Sequence, residues 1–240
     1  MEKDKDGFTA FFDAAKYDSK EVAEVLLLHG ANINEKDECG YTALHTAAQY
    51  NSKEVAELLI SQGANINEKD KDGFTAFFDA AKYDSKEVAE VLLLHGANIN
   101  EKDECGYTAL HTAAQYNSKE VAELLISQGA NINEKDKDGF TAFFDAAKYD
   151  SKEVAEVLLL HGANINEKDE CGYTALHTAA QYNSKEVAEL LISQGANINE
   201  KDKDGFTAFF DAAKYDSKEV AEVLLLHGAN INEKDECGYQ

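Results

Sequence analysis

The chain has 240 residues, with 46 acidic side chains against 23 basic ones and a formal net charge of −23; every basic residue is lysine, because arginine is absent. An excess of this sign disfavours nucleic-acid backbones and anionic lipid as partners. With 44% apolar residues and no apolar run near the length of a bilayer span, the composition argues against disorder and a membrane segment, and the cytoplasm is the expected location.

Taken in chain order, Glu2 to Asn67 returns without substitution from Glu68 and from Glu134, and in truncated form from Glu200, a perfect period of 66 residues. Within it lies a looser period of 33, a type A unit from Asp4 and a type B unit from Asp37. A unit this small cannot bury its own apolar face, so neighbours must stack. In type B the run Thr42 to Tyr50 sets Leu44, Ala47 and Ala48 on one helical stripe. Asn51, like Asp18 in type A, tolerates the left-handed conformation that ends a helix. Ser52 is expected to cap a second helix, with Glu54 in its first turn, Val55, Leu58 and Leu59 on its apolar stripe, and Gly63 at its end. Type A uses Val22, Val25, Leu26 and Gly30 in the same places, and the second-helix leucines are expected in the core. From Ala64 to Gly73 only Ile66 is apolar, and the stretch predicts a projecting loop. Pairs start near residues 8, 41, 74, 107, 140, 173 and 206, and an eighth start is truncated after Tyr239.

The order Gly40, Thr42-Ala-Leu-His45, Ala47-Ala48, Glu54-Val55, Leu58-Leu59 and Gly63-Ala64-Asn65-Ile66-Asn67 resembles the ankyrin repeat, and the likeness covers essentially the whole chain. It implies an all-α solenoid of stacked helix-turn-helix units with projecting β-hairpin-like loops, residues 1–240 forming a single domain of seven helix pairs. Two positions depart from the family pattern. Ala10 and Ala43 stand where the family has proline, and Phe12 in type A stands where type B has His45, so the threonine-to-histidine hydrogen bond implied by the resemblance is confined to type B. The resemblance also implies a concave groove lined by two aromatic series. One follows each loop glycine (Phe8, Tyr41, Phe74, Tyr107, Phe140, Tyr173, Phe206); the other closes each first helix (Tyr17, Tyr50, Tyr83, Tyr116, Tyr149, Tyr182, Tyr215). These rings are the expected anchors for a protein or extended peptide, unless each merely packs on its neighbour one repeat away. Acidic loops beside them favour a basic partner.

No catalytic constellation, metal site or cofactor is expected. Glu68, Asp70, Asp72, Gly73 and Asp79 imitate a calcium loop, but position 12 holds the short Asp79, which belongs on a helix, and no helix precedes the loop. His45, His111 and His177 are expected to be structural, and the serines lack a neighbouring base. Cys39, Cys105, Cys171 and Cys237 recur every 66 residues, too far apart in a stack for an intrachain bridge. The expected function is therefore a noncatalytic interaction scaffold. The alternative is a structural or engineered array without an evolved ligand, since the units do not vary. Terminal units that keep interior residues such as Phe11, Val22 and Leu225 predict head-to-tail stacking between molecules.

Overall fold

The computed structural model describes residues 9–231, and Phe8 and Cys237 lie outside them. Among the described residues are fourteen α-helices and no strand. The first helices of successive units are α1 (Ala10–Lys16), α3 (Ala43–Gln49), α5 (Ala76–Lys82), α7 (Ala109–Tyr116), α9 (Ala142–Lys148), α11 (Ala175–Tyr182) and α13 (Ala208–Lys214). The second helices are α2 (Lys20–Leu28), α4 (Lys53–Ser61), α6 (Lys86–Leu94), α8 (Lys119–Ser127), α10 (Lys152–Leu160), α12 (Lys185–Ser193) and α14 (Lys218–Leu226). The described residues form two compact units, one within residues 9–113 and 120–130, the other within 114–119 and 131–231. In the first, α1, α3 and α5 lie in one row and α2, α4 and α6 in a second, each helix against its own pair-mate. In the second unit α9, α11 and α13 form one row and α10, α12 and α14 the other.

Close packing follows from small residues on the first helices and branched ones on the second. Ala47 and Ala48 are fully buried, as are Val55, Ala56 and Leu59, and type A repeats the pattern with Ala80, Ala81, Val88 and Leu92. Burial of one such leucine or valine contributes about 1.5–3 kcal/mol. The expectation that every second-helix leucine is core is corrected at two positions of type A, since Leu27, Leu93 and Leu159 are half-buried and Leu225 is exposed. Leu28, Leu94, Leu160 and Leu226 are each more than 80% exposed. Leu94 follows the buried Leu92 by two residues, about 200° around the helix, which turns it away from the stack.

The first helices end in Asp18, Asn51, Asp84, Asn117, Asp150, Asn183 and Asp216, all with φ between 51° and 56°. The Ser52 N–H reaches back to the Ala47 carbonyl at 2.9 Å across this turn, the six-to-one bond of a Schellman motif. Second helices stop in the same way at glycine, with Gly63 at φ 90° and the Ala64 N–H on the Leu59 carbonyl at 2.9 Å. The side chain explains why the first stop is Asx and not glycine. Asp18 Oδ1 accepts from the Val55 N–H at 2.8 Å and Asp84 Oδ1 from the Val121 N–H at 2.8 Å, each at the open end of the next repeat's second helix. Asn51 does the same for Val88 at 3.2 Å, and its amide also donates to Glu87. The capping role expected of Ser52 is therefore corrected. Ser52 occupies the cap position but its hydroxyl makes no cap bond, pointing instead to the Lys16 carbonyl at 3.5 Å.

First helices start differently in the two unit types. The Thr42 N–H donates to His45 Nδ1 at 3.1 Å, with Thr42 Oγ1 2.9 Å from the same nitrogen, while Nε2 lies 3.1 Å from the Phe74 carbonyl. An accepting Nδ1 leaves the proton on Nε2, so His45 is a neutral donor to the next repeat. Burial correspondingly lowers the pKa of His45 and His177. In type A, Phe78 fills the histidine position and packs on Phe74, ring centroids 5.6 Å apart. Packing replaces hydrogen bonding there, and the consequence is visible: Thr75 Oγ1 and Thr141 Oγ1 are buried without partners.

The loops are tight and in register. Asp37 Oδ1 accepts from the N–H groups of Cys39 and Tyr41 at 2.9 and 2.8 Å, and Asp70 Oδ1 holds Asp72 and Phe74 in the same way. The supposed calcium loop thus spends a carboxylate oxygen on its own backbone, and Asp79 lies on α5. The Asp37 N–H bonds the Tyr41 carbonyl at 2.9 Å, giving the hairpin-like form. Successive loops touch where the Lys71 N–H meets the Cys39 carbonyl at 3.0 Å; a Cβ on Gly40, at φ 87°, would stand 2.8 Å from the Lys71 nitrogen.

Asp84→Ala is expected to destabilise the protein by about 2 kcal/mol, combining loss of a helix cap with a left-handed position unsuited to alanine. Asp84→Asn should cost less, because Asn51 performs the same role. Chemical denaturation of the two variants checks the difference, and equal losses would contradict the shared-cap account.

Candidate protein interface

The first helices bury their alanine stripe and leave their last residues at the surface, which places the closing tyrosines outside. Tyr17, Tyr50, Tyr83, Tyr116, Tyr149, Tyr182 and Tyr215 are exposed, from 41% at Tyr149 to 68% at Tyr17. Lysines from type A helices lie among them. Lys16 Nζ is 5.3 Å from the ring centre of Tyr17 and 5.2 Å from that of Tyr50, and Lys148 bridges Tyr149 and Tyr182 at 5.2 and 5.4 Å. Lys82 and Lys214 sit over Tyr83 and Tyr215 at 5.3 and 5.1 Å. Such cation–π contacts hold the rings without covering their outer faces. Gln115 adds a polar link, donating from Nε2 to the Tyr149 hydroxyl at 2.9 Å. The result is a repeated surface of aromatic rings, ammonium groups and amides, suited to contact with another polypeptide.

The loop aromatics behave differently. Tyr41, Phe74, Tyr107, Phe140, Tyr173 and Phe206 are half-buried. Each leans on a ring four residues later in its own unit, as Tyr41 does on His45 at 5.6 Å and Phe206 on Phe210 at 5.2 Å. Burial, and then the nearby Asp79 carboxyl, raise the Tyr41 phenol far above its ordinary value; Tyr173, beside Asp211, is pushed up to about 12. These phenols stay neutral. Within each compact unit the structure thus leaves the helix-closing tyrosines exposed at the ends of the first helices and uses the loop rings largely as packing.

Two features escaped sequence reasoning. One is the lysine beside each type A tyrosine, legible only once first-helix ends are placed next to one another. The other is a buried carboxyl: Asp79, Asp145 and Asp211 are only 3–4% exposed, although their charge suggests a solvated position. Acidic side chains dominate the loop tips, where Glu38, Asp72, Glu104, Asp138, Glu170 and Asp204 are exposed. Their partial neutralisation is local, through Lys36 with Glu68 at 2.7 Å and Lys69 with Glu101 at 3.6 Å, and the Lys36 hydrogen bond is the main cause that lowers the pKa of Glu68. Among the described residues no group of three or more histidine, cysteine or acidic side chains is placed to hold a metal ion, and no helix is long and apolar enough to cross a membrane.

Stacked helix pairs that display one side-chain pattern again and again are the architecture of a repeat-built interaction module. The family model for ankyrin repeats (three copies) matches residues 11–103, 77–169 and 159–235, so the chain belongs to the ankyrin repeat family. Its structure is similar to the crystal structure of the human ASB11 ankyrin repeat domain, with a TM-score of 0.78 and 26% identity over 93% of this chain and 99% of that one. No curated protein matches the chain. Ankyrin repeats are in general protein–protein interaction modules.

Cys39, Cys105 and Cys171 are exposed free thiols at the loop tips. Folded, freshly reduced protein is expected to give at least three equivalents with a soluble thiol reagent, all reacting before unfolding. Slow or partial reaction would show that the tips are covered in solution.

Proposed function

We propose that this chain is a noncatalytic, cytoplasmic scaffold of one repeat domain that binds a protein or extended peptide along the face formed by its first helices and loops. The exposed tyrosine series carries this reading. Tyrosines at 41–68% exposure, pre-positioned by lysine and glutamine, offer apolar contact area at low entropic cost, as interface anchors do. The loop aromatics Tyr41, Phe74, Tyr107, Phe140, Tyr173 and Phe206 extend the same groove toward the loops, and Phe8 precedes them in the sequence series. The acidic tips favour a basic partner, whose own charges lie at the rim while aromatic or apolar groups reach the tyrosines.

Peptides selected on the parent from an unbiased display library give the test. They should be enriched in lysine and arginine and should lose about 30-fold or more in affinity on Tyr50→Ser or Tyr83→Ser, the scale of an anchor residue. Retained affinity on both variants would remove the face from consideration, and acidic selected peptides would overturn the basic-partner reading.

A second reading, self-association of an array with no evolved ligand, draws on the terminal pairs. Val22 and Val25 on α2 are 51% and 54% exposed, whereas Val88 and Val91 in the same places on α6 are 0% and 4%. Phe209 and Phe210 are half-buried where Phe77 and Phe78 are buried. The two faces are complementary and not identical, so contacts would run head to tail. Sedimentation of the parent should show concentration-dependent growth that Val25→Lys abolishes; a monomer at all concentrations would dismiss this reading.

A further inference from the structure

Asp79, Asp145 and Asp211 occupy the middle of the type A first helices α5, α9 and α13, at 4%, 4% and 3% exposure. In each, Oδ2 is buried and has no hydrogen-bond partner. Gln49 of α3 bonds Asp79, and Gln181 of α11 bonds Asp211, so these two carboxyls lie at the contact between a type B pair and the type A pair that follows it. An ionised carboxylate with one oxygen sealed from water and unbonded is costly there, and a protonated acid costs much less. The surroundings do little to rescue the anion. Around Asp79 they comprise Asp70 in the preceding loop, Lys82 one turn along α5, and Tyr41 and His45 from the preceding unit. Tyr41 and His45 are both neutral. On α6, Glu87 and Glu90 are exposed and Lys86 is half-buried. Asp211 has the corresponding set in Asp202, Lys214, Tyr173 and His177.

We propose that the Asp79 and Asp211 carboxyls are a pH-responsive element built into the repeat contacts: protonated, they are packed and silent, and on ionisation above neutral pH they loosen the type B to type A junctions of α3 with α5 and of α11 with α13, while Asp145 shares their burial on α9. Burial pushes all three up to about 7 from an ordinary 3.8; the charges of Asp70 and Asp136 add to this for Asp79 and Asp145, while the Gln181 hydrogen bond opposes it for Asp211. Because the folded state holds these protons more tightly than the unfolded chain, their stabilisation is complete below pH 3.8. It is lost as pH rises through about 7. His45 and His177 act in the opposite sense. Their depressed pKa gives stability present above 6.5 and lost as pH falls, so the aspartates must be isolated by substitution.

Asp13 provides an internal control, since the same position on α1 is exposed. The experiment compares the parent, the triple variant Asp79→Asn/Asp145→Asn/Asp211→Asn, and Asp13→Asn, following the melting temperature from mildly acidic to mildly alkaline pH. A carboxyl 13C titration of the parent runs alongside. The parent is expected to lose melting temperature as pH rises from mildly acidic values to about 7 and to level off above it, the triple variant to lack that component, Asp13→Asn to follow the parent, and three carboxyl resonances to titrate near 7. If the triple variant does not fold, the titration alone decides. Midpoints near 4 for all carboxyls, or parallel pH profiles for the parent and a folded triple variant, would overturn the proposal.

Discussion

One side chain at the end of each first helix governs how one repeat meets the next. An Asx residue in the left-handed conformation closes its own helix by backbone geometry and, through its carboxyl or amide oxygen, supplies the missing acceptor for a second helix 37 residues further on, as Asp18 does for Val55. Glycine could do the first task alone and does so at the ends of the second helices. Only a short polar side chain can do both. The alternation of Asp and Asn adds a small asymmetry: aspartate caps type B second helices with charge, whereas asparagine caps type A ones and uses its spare amide on Glu87, Glu153 or Glu219.

The same asymmetry extends inward. Type B units anchor the first helix with a threonine–histidine network that reaches the following repeat, and type A units substitute a pair of phenylalanines. The aromatic solution buries more apolar area but leaves polar atoms stranded, namely Thr75 Oγ1, Ser85 Oγ and the Asp79 carboxyl oxygen. An array of two unit types therefore concentrates its unsatisfied groups in one of them. Polar complementarity at the type B end and apolar contact at the type A end make successive junctions chemically distinct although the backbone path is nearly the same.

Much of the fold was legible in the sequence because its signals are local. Helical stripes, the glycine stops and the left-handed Asx turns follow from residue type and spacing, and the Thr42–His45 bond followed from the family resemblance. What was not legible depends on neighbours one repeat away. Ser52 carries every sequence mark of a cap, yet the cap comes from Asp18. Leu94 is as apolar as Leu92 but lies on the far side of the helix. Asp79 reads as a surface charge until α3 is set against it. The tyrosine series is visible in sequence as a ladder, but that its helix-end members stay exposed while its loop members fold down onto their own units is a property of the packed helices.

The bonds between units all connect residues about one repeat apart in sequence, 29 residues for His45 and Phe74 and 37 for Asp18 and Val55. No contact of this kind needs distant parts of the chain to find one another, so the entropy of closing each loop is the same wherever in the array it forms. Assembly can begin at any pair and spread outward by equal steps, and the speed of each step does not depend on how many copies follow. Identity of the copies carries a kinetic hazard as well: a pair from one repeat fits the partner of any other, so chains folding close together can exchange whole pairs and trap one another in swapped, otherwise native contacts.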